Sequence, residues 1–152
     1  MAKRKQKIDN SSVLVVGLGR FGASTAENLM KLGRQVLAIE RDPNKVAEFT
    51  GKLTHIVEAD ATNLEALRQL GAEDFSTAVV GIGTSIEASV LTTANLVDIG
   101  VEQVWAKAIS NSHGKILHRI GAEHVLYPES EAGARVAHLV SSRMLDSVSY
   151  TH

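Results

Sequence analysis

The sequence predicts a doubly wound parallel α/β sheet of six strands, with one further helix beyond it. Three observations carry that prediction. Short apolar runs alternate with helical patterns along the 152 residues. Those runs lack strict in-and-out alternation, as expected of strands covered by helices on both faces. The first run ends in the glycine fingerprint "GLGRFG", Gly17 to Gly22, which opens a helix and marks a Rossmann-like turn. The expected strand order is 3-2-1-4-5-6.

Taken in order, residues 1–11 form a basic arm, and "SVLVVG" is a β-rich run ending in glycine. "FGASTAENLMKLG" spaces Ala26, Leu29, Met30 and Leu32 like a helix face before Gly33 stops it. "QVLAIE" is the second strand, and "DPNKVAEF" opens the helix that follows. Then come the strand "THIVEAD", the helix "NLEALRQLG", the strand "TAVVGIG" and the long helical stretch "SIEASVLTTANLVDIG". "QVWAKA", the helix "NSHGKILHRIG" and "HVLYP" complete the sheet, so that 12–128 forms one domain. Residues 129–152 hold a last helix, which carries Ala132, Val136, Leu139 and Val140 on one stripe. That stripe needs burial although the helix layers of the sheet are already accounted for. It either packs back on its own domain or meets a second subunit.

Composition narrows the function classes. Hydrophobic residues at 44% and charged residues at 22% describe one ordinary soluble core. A net charge of -1 argues against a nucleic-acid coat protein, and "MAKRKQK" reads as a short solvated arm. "IDNSS" stands where a signal peptide would carry its apolar region, so no secretion signal is expected. No run approaches the roughly 18 apolar residues of a membrane helix. The chain has no cysteine, hence neither disulfides nor thiolate chemistry, which fits a reducing cytoplasm.

The fingerprint carries the chemistry. Gly17 turns the chain off the strand, Gly19 lets backbone approach a phosphate, and Gly22 lets helix and strand pack closely. Phosphates would then sit on a helix N-terminus, whose N–H groups and partial charge favour an anion. Glu40 ends the next strand eighteen residues after Gly22, where an acid accepts bonds from both ribose hydroxyls and repels a 2′-phosphate. Arg41 beside it is either a counter-signal to that exclusion or a solvated surface arginine. "EADAT" places Asp60, Ala61 and Thr62 at the carboxyl edge of the third strand, where the base would lie. Asp60 and Thr62 are equally suited to capping a helix that begins at Asn63.

"VVGLGRFG", Glu40, "ADAT", "GIGTSIEASVLTT", "VWAKA" and "HRIGAEHVLYPE" together resemble the nucleotide-binding lobe of the RCK (TrkA-N) domains. Within that family the likeness is to KtrA-type regulators of bacterial potassium uptake, and it spans about residues 12–145. The resemblance implies a cytoplasmic gating subunit that binds ATP or ADP, with NAD or NADH as the other candidates. It implies a homodimer paired through these lobes, assembled as a ring, an octamer, on the inner face of a membrane channel. It also implies that Ile82, Gly83 and Thr84 close over the nucleotide, and that Lys107 and Ala108 approach it from the fifth strand. Arg20 and Phe21 leave the fingerprint. By the resemblance the Arg20 guanidinium contacts a γ-phosphate, that of the neighbouring subunit's nucleotide; its plain alternative is a solvated arginine beside Phe21. Glu129 matches a position near the phosphates that meets a divalent cation, and is also placed as an ordinary acid of a helix N-terminus. RCK proteins generally continue into a small C-terminal lobe. This sequence ends at His152, so ligands bound on that lobe, such as cyclic di-AMP, are expected to have no site on it.

Two other functions use the same fold. A dehydrogenase needs substrate and acid–base groups over the nicotinamide, and little sequence follows the sixth strand to supply them. In "HGKILH" the spacing of His113 and His118 puts the rings on different sides of a helix, unlike a zinc pair. The expectation there is a mostly solvated face with His113 near the nucleotide. A nucleotide-sensing repressor would need a DNA-reading head, and no nucleic-acid partner is expected. A regulatory module without catalysis is the reading that fits best.

Overall fold

The computed structural model describes residues 12–127 and 132–148. Strands β1 (Ser12–Val16), β2 (Gln35–Glu40), β3 (His55–Glu58), β4 (Thr77–Val80), β5 (Gln103–Lys107) and β6 (His124–Leu126) alternate with helices α1 (Arg20–Lys31), α2 (Pro43–Phe49), α3 (Leu64–Gln69), α4 (Ile86–Asp98) and α5 (Asn111–Arg119). Helix α6 (Ala132–Val148) follows. The six strands are all parallel and lie in the expected order, β3-β2-β1-β4-β5-β6. One element went unforeseen, a short 3-10 turn at Ala72–Asp74.

The central strands are apolar on both sides because both sides are covered. Val13, Val15, Val36, Ala38, Val79 and Trp105 face the layer that contains α1 and α2. Leu14, Val16, Ala78, Val80, Val104 and Ala106 face Leu67 of α3, Leu96 of α4 and Leu117 of α5. Each helix start has its own chemistry. Asp42 caps α2 by accepting from Asn44 N–H with Pro43 in the first turn, Asn63 caps α3, Ser85 caps α4 and Ser110 caps α5. Helix α1 differs, for its N-cap is Gly19 and no side chain caps it.

Helix α6 settles onto its own domain. In the order β3-β2-β1-β4-β5-β6 the β4–β5 half of the α1 face has no helix of its own, so the sheet does leave room for one more. Val136, Ala137, Val140 and Met144 fill it, packing with Val79 and Trp105 in the same core. Arg34 fastens the helix from the α1–β2 loop, donating from Nε to Ser141 Oγ at 3.0 Å and from Nη2 to the Ser141 carbonyl at 3.3 Å. The expected stripe is therefore rotated. Leu139 is 48% exposed, whereas Ala137 and Met144 are buried.

The mostly solvated face expected for "HGKILH" is present at Lys115, Ile116 and His118, but His113, expected near the nucleotide, is instead 1% exposed and wedged between α5 and α4. It shares a helix face with Gly114 and Leu117, while Lys115 and His118 point outward. Ile109 N–H donates to His113 Nδ1 at 3.1 Å, so that nitrogen carries no proton. Nε2–H then donates to Ser89 Oγ at 3.0 Å. The ring is neutral, and burial holds its pKa below the usual histidine range.

Two outcomes follow from this packing. Val140→Asp buries an unpaired carboxylate and is expected to cost about 3 kcal/mol or more, roughly a 10 °C loss in Tm. Leu139→Glu should stay within about 0.5 kcal/mol of wild type; thermal unfolding followed by circular dichroism compares the two. His113 gives a pH signature. Its folded pKa lies below the unfolded value of about 6.5, so the unfolded state takes up more protons between the two. Stability is therefore complete above pH ~6.5 and declines as the pH falls through that window. Burial and Arg143 act in the same direction on His124, partly offset by Glu123. His113→Gln should flatten part of the decline in urea unfolding measured from pH 7 to pH 5. An unchanged slope would mean that His113 does not titrate there.

Candidate functional site

A cleft of about 720 Å³ opens at the carboxyl ends of β1, β2, β3 and β4. It spans the point where the chain order reverses between β1 and β4, the place where open α/β sheets bind ligands. Its walls are the glycine loop, the chain from Ile39 to Pro43, the chain from Ala59 to Thr62, and the turn from Gly81 to Ser85. Ala88 and Thr92 of α4 close one side.

The three fingerprint glycines have three separable causes. Gly17 has φ 95°, a conformation that L side chains rarely adopt. At Gly22 a Cβ would run into the Gly17 carbonyl, so that position is fixed by close packing of helix on loop. At Gly19 a Cβ would meet nothing within 4 Å. The fold does not require glycine there. What the missing side chain leaves open is space in the cleft, directly before the uncapped first turn of α1. The N–H groups of that turn have no capping side chain, and they present partial positive charge to the same space.

Glu40 does more than close the second strand. Its Oε1 accepts from Leu18 N–H at 2.7 Å and its Oε2 from Asp42 N–H at 2.8 Å, so the carboxylate ties the glycine loop to the end of β2. Each oxygen keeps a second acceptor site. The capping role open to Asp60 and Thr62 belongs instead to Asn63, whose side chain accepts from Glu65 and Ala66 N–H. Asp60 Oδ1 accepts from the Thr62 hydroxyl at 2.7 Å and from Thr62 N–H at 3.0 Å. Those two bonds, with a smaller contribution from Arg41, hold the Asp60 carboxyl below its usual pKa against the opposing effect of burial.

Ten of the candidate residues line the cleft: Gly17, Gly19, Glu40, Arg41, Asp60, Ala61, Thr62, Ile82, Gly83 and Thr84. Gly22 lies beneath the loop. Phe21 is buried, and Lys107 Nζ lies 5.9 Å from its ring centroid. The same Nζ abuts Gly83, where it would collide with any Cβ, so Lys107 backs the cleft wall. Ala108 is buried and His113 stands behind α4, away from the cavity. Arg20 is exposed at the first residue of α1. Glu129 lies outside the described residues. Among those residues no group of three His, Asp or Glu side chains is placed to hold a metal ion.

Sequence reasoning missed Asn95, which donates from Nδ2 to the carbonyls of Ala61 (3.3 Å) and Thr62 (3.0 Å) and fixes the "ADAT" turn. Its signal was present in the helical spacing Ser85, Ala88, Thr92, Asn95 along α4. The Leu18 and Asp42 contacts of Glu40 had no such signal, since both donors are backbone.

Residues 13–128 match the TrkA-N domain family. The Ktr system potassium uptake protein C of Bacillus subtilis is 41% identical over 133 residues, 87% of this chain and 60% of that protein. Its Ktr system potassium uptake protein A is 38% identical over 135 residues, 89% of this chain and 61% of that protein. The chain thus spans about three-fifths of the length of these relatives. The TrkA-N domain of the Escherichia coli inner membrane protein ybaL has the same fold, with a TM-score of 0.71 at 19% identity over 93% of this chain and 100% of that one. The GsuK channel bound to NAD gives 0.69 at 12% identity over 83% of this chain and 22% of that one. No helix among the described residues is long and apolar enough to cross a membrane. With the family matched over nearly the whole sheet and the relatives above 30% identity, the chain belongs to the TrkA-N domain family.

Proposed function

We propose that this chain is the nucleotide-sensing lobe of a regulatory subunit of a bacterial potassium-uptake system, with ATP or ADP as its ligand. The observation that carries the reading is the space at Gly19, which nothing in the fold requires and which opens before an uncapped helix. A diphosphate fits it by charge and by hydrogen-bond donors. The ribose hydroxyls bond the remaining acceptor sites of Glu40, and the base lies at Asp60, Ala61 and Thr62. The Ile82–Thr84 turn covers the nucleotide, and Lys107 and Ala108 support it from β5. NAD or NADH uses the same pyrophosphate and ribose contacts and is the second candidate, in keeping with the NAD-bound GsuK structure.

The names of the relatives support a role in potassium uptake. In this reading the lobe forms a homodimer and then an octameric ring on the inner face of a channel subunit, and it carries out no turnover. Nucleotides act by binding one arrangement of the ring more tightly than another. Glu129 is the proposed contact to a divalent cation at the phosphates, and Arg20 the contact to the third phosphate, reaching across from a neighbouring lobe.

Calorimetry of the chain with ATP, ADP, NAD and NADH tests the site. ATP and ADP should bind, and Gly19→Asp should abolish binding with little change in Tm, because its Cβ has room but its charge opposes phosphate. Undiminished affinity in that variant would place the phosphates elsewhere. Arg20→Ala should weaken ATP about tenfold or more, the worth of a charge-assisted hydrogen bond, and ADP about twofold or less. Small-angle scattering should then show no ATP-dependent change in assembly shape. Equal losses for the two nucleotides would mean that Arg20 does not read phosphate number.

A further inference from the structure

The α4 wall of the cleft is held from behind by a buried histidine. Ala88 of that helix lines the cavity, and Ser89, the next residue, is fully buried behind it. Ser89 Oγ accepts from His113 Nε2–H at 3.0 Å, while Ile109 N–H donates to His113 Nδ1 at 3.1 Å. The ring thus joins α4, α5 and the turn after β5 at once. Ser110 of that turn caps α5 on the same residue, its Oγ accepting from the His113 backbone N–H at 3.1 Å.

This arrangement admits only the neutral ring. A proton on Nδ1 would set donor against donor at Ile109 N–H. The imidazolium would also be 1% exposed, in a place where burial already holds the pKa below the usual histidine range. It would stand at the third residue of α5, where the helix dipole presents positive charge of its own. The charged groups of the neighbouring elements do not relieve it. On α4 the acids Glu87 and Asp98 are exposed, and on α5 so are Lys115, His118 and Arg119. Lys107, at the end of β5, lies against Phe21 and Gly83, and Tyr127, after β6, lays its hydroxyl on Gly114. Among the described residues the partners of the ring are Ile109 and Ser89, and neither is an acid.

We propose that His113 is a proton-operated latch, whose protonation frees α4 from α5 and weakens nucleotide binding in the cleft. The proposal rests on the nucleotide reading given above and adds its regulation by pH. Release of Ser89 loosens the helix that sets Ala88 in the cleft wall and carries Asn95, the donor to the Ala61 and Thr62 carbonyls. The ordered cleft therefore belongs to the neutral ring. Affinity is complete above the folded pKa of His113 and falls as the pH drops through it. The linkage is reciprocal, so a bound nucleotide opposes protonation and lowers that pKa further.

The full chain, His113→Gln and His118→Gln are titrated with ADP by calorimetry at pH 7.5 and at pH 5. Glutamine is neutral at both, and His118 is the exposed histidine of the same helix. Titration of the ADP phosphates is common to the three chains and cancels in the comparison. On acidification wild type and His118→Gln should lose about three- to tenfold more affinity than His113→Gln, which corresponds to roughly half to one unit of coupled pKa change. Nitrogen-15 NMR of the histidine rings in the wild-type chain needs no variant. There His113 should titrate, and saturating ADP should lower its pKa by the same amount. A loss in His113→Gln equal to that of wild type would overturn the proposal, as would a His113 pKa that ADP leaves unmoved or a ring that stays neutral while affinity falls. A wild-type chain that bound no ADP at pH 7.5 would overturn the nucleotide reading itself and this proposal with it, an outcome visible before any acidic measurement.

Discussion

The site depends on one carboxylate. Glu40 receives two backbone N–H groups from opposite sides, Leu18 of the glycine loop and Asp42 of the turn after β2. Hydrogen bonds from N–H to an ionised acceptor are among the stronger ones available to a chain. Here they set the height of the loop over the sheet and the course of the chain into α2. Without them the loop would be held at its start by Gly17 N–H on the Ile39 carbonyl, and at its end by the packing of Gly22 on Gly17. Leu18 N–H would lose its acceptor, leaving only the buried Leu18 side chain to anchor the middle of the loop. The phosphate space and the ribose acceptor are thus one structure, because the residue proposed to hold the sugar also positions the loop proposed to hold the phosphates.

The opposite wall is organised by the same means with different residues. Asn95 bonds two successive carbonyls of the "ADAT" turn, Asp60 folds that turn onto Thr62, and Asn63 starts α3 immediately after it. His113 and Ser89 then fix α4 against α5 from behind. A chain of side-chain bonds therefore runs from α5 through α4 to the edge of the cleft. Most of the geometry on this side is fixed by bonds within the lobe itself, which would reduce the ordering that binding costs.

The fold was legible in the sequence because its signals are local and repeated. Each strand is a short apolar run, each helix from α2 to α5 begins with a capping side chain, and the fingerprint states its own turn. The fate of α6 was not legible from its stripe. An amphipathic helix records that one face must be buried, but not against what. The answer lay in the strand order, which leaves Val79 and Trp105 uncovered on the α1 face until Val136, Val140 and Met144 arrive. His113 was expected near the nucleotide and lies between α5 and α4 instead, for a related reason. Spacing to His118 says how two rings diverge, and says nothing of which one meets α4. Within the cleft the residues of sequential motifs were found, whereas Asn95 was not, since its bonds to the "ADAT" turn pass through space between α4 and the turn after β3 and only its helical spacing from Ser85, Ala88 and Thr92 pointed to them.

The division between organised and unorganised groups bears on how such a lobe could act as a sensor. Glu40, Asp60 and the fingerprint glycines are held by bonds and packing within the lobe, and in the proposed binding mode all of them would address parts common to ATP, ADP and NAD. Arg20 is different. It stands exposed at the start of α1 with no hydrogen-bond partner among the described residues. A group that a lobe leaves unconstrained gains a fixed geometry only from something outside it, whether a ligand or a second lobe. A contact that needs both a third phosphate and a neighbouring subunit would couple nucleotide state to assembly. A contact to the shared diphosphate would raise affinity alike in every state and shift no equilibrium. In the proposed function, sensing is therefore best located at the edge of the site, where the lobe has not already decided the answer, and the well-ordered centre would hold the nucleotide still while that edge reads it.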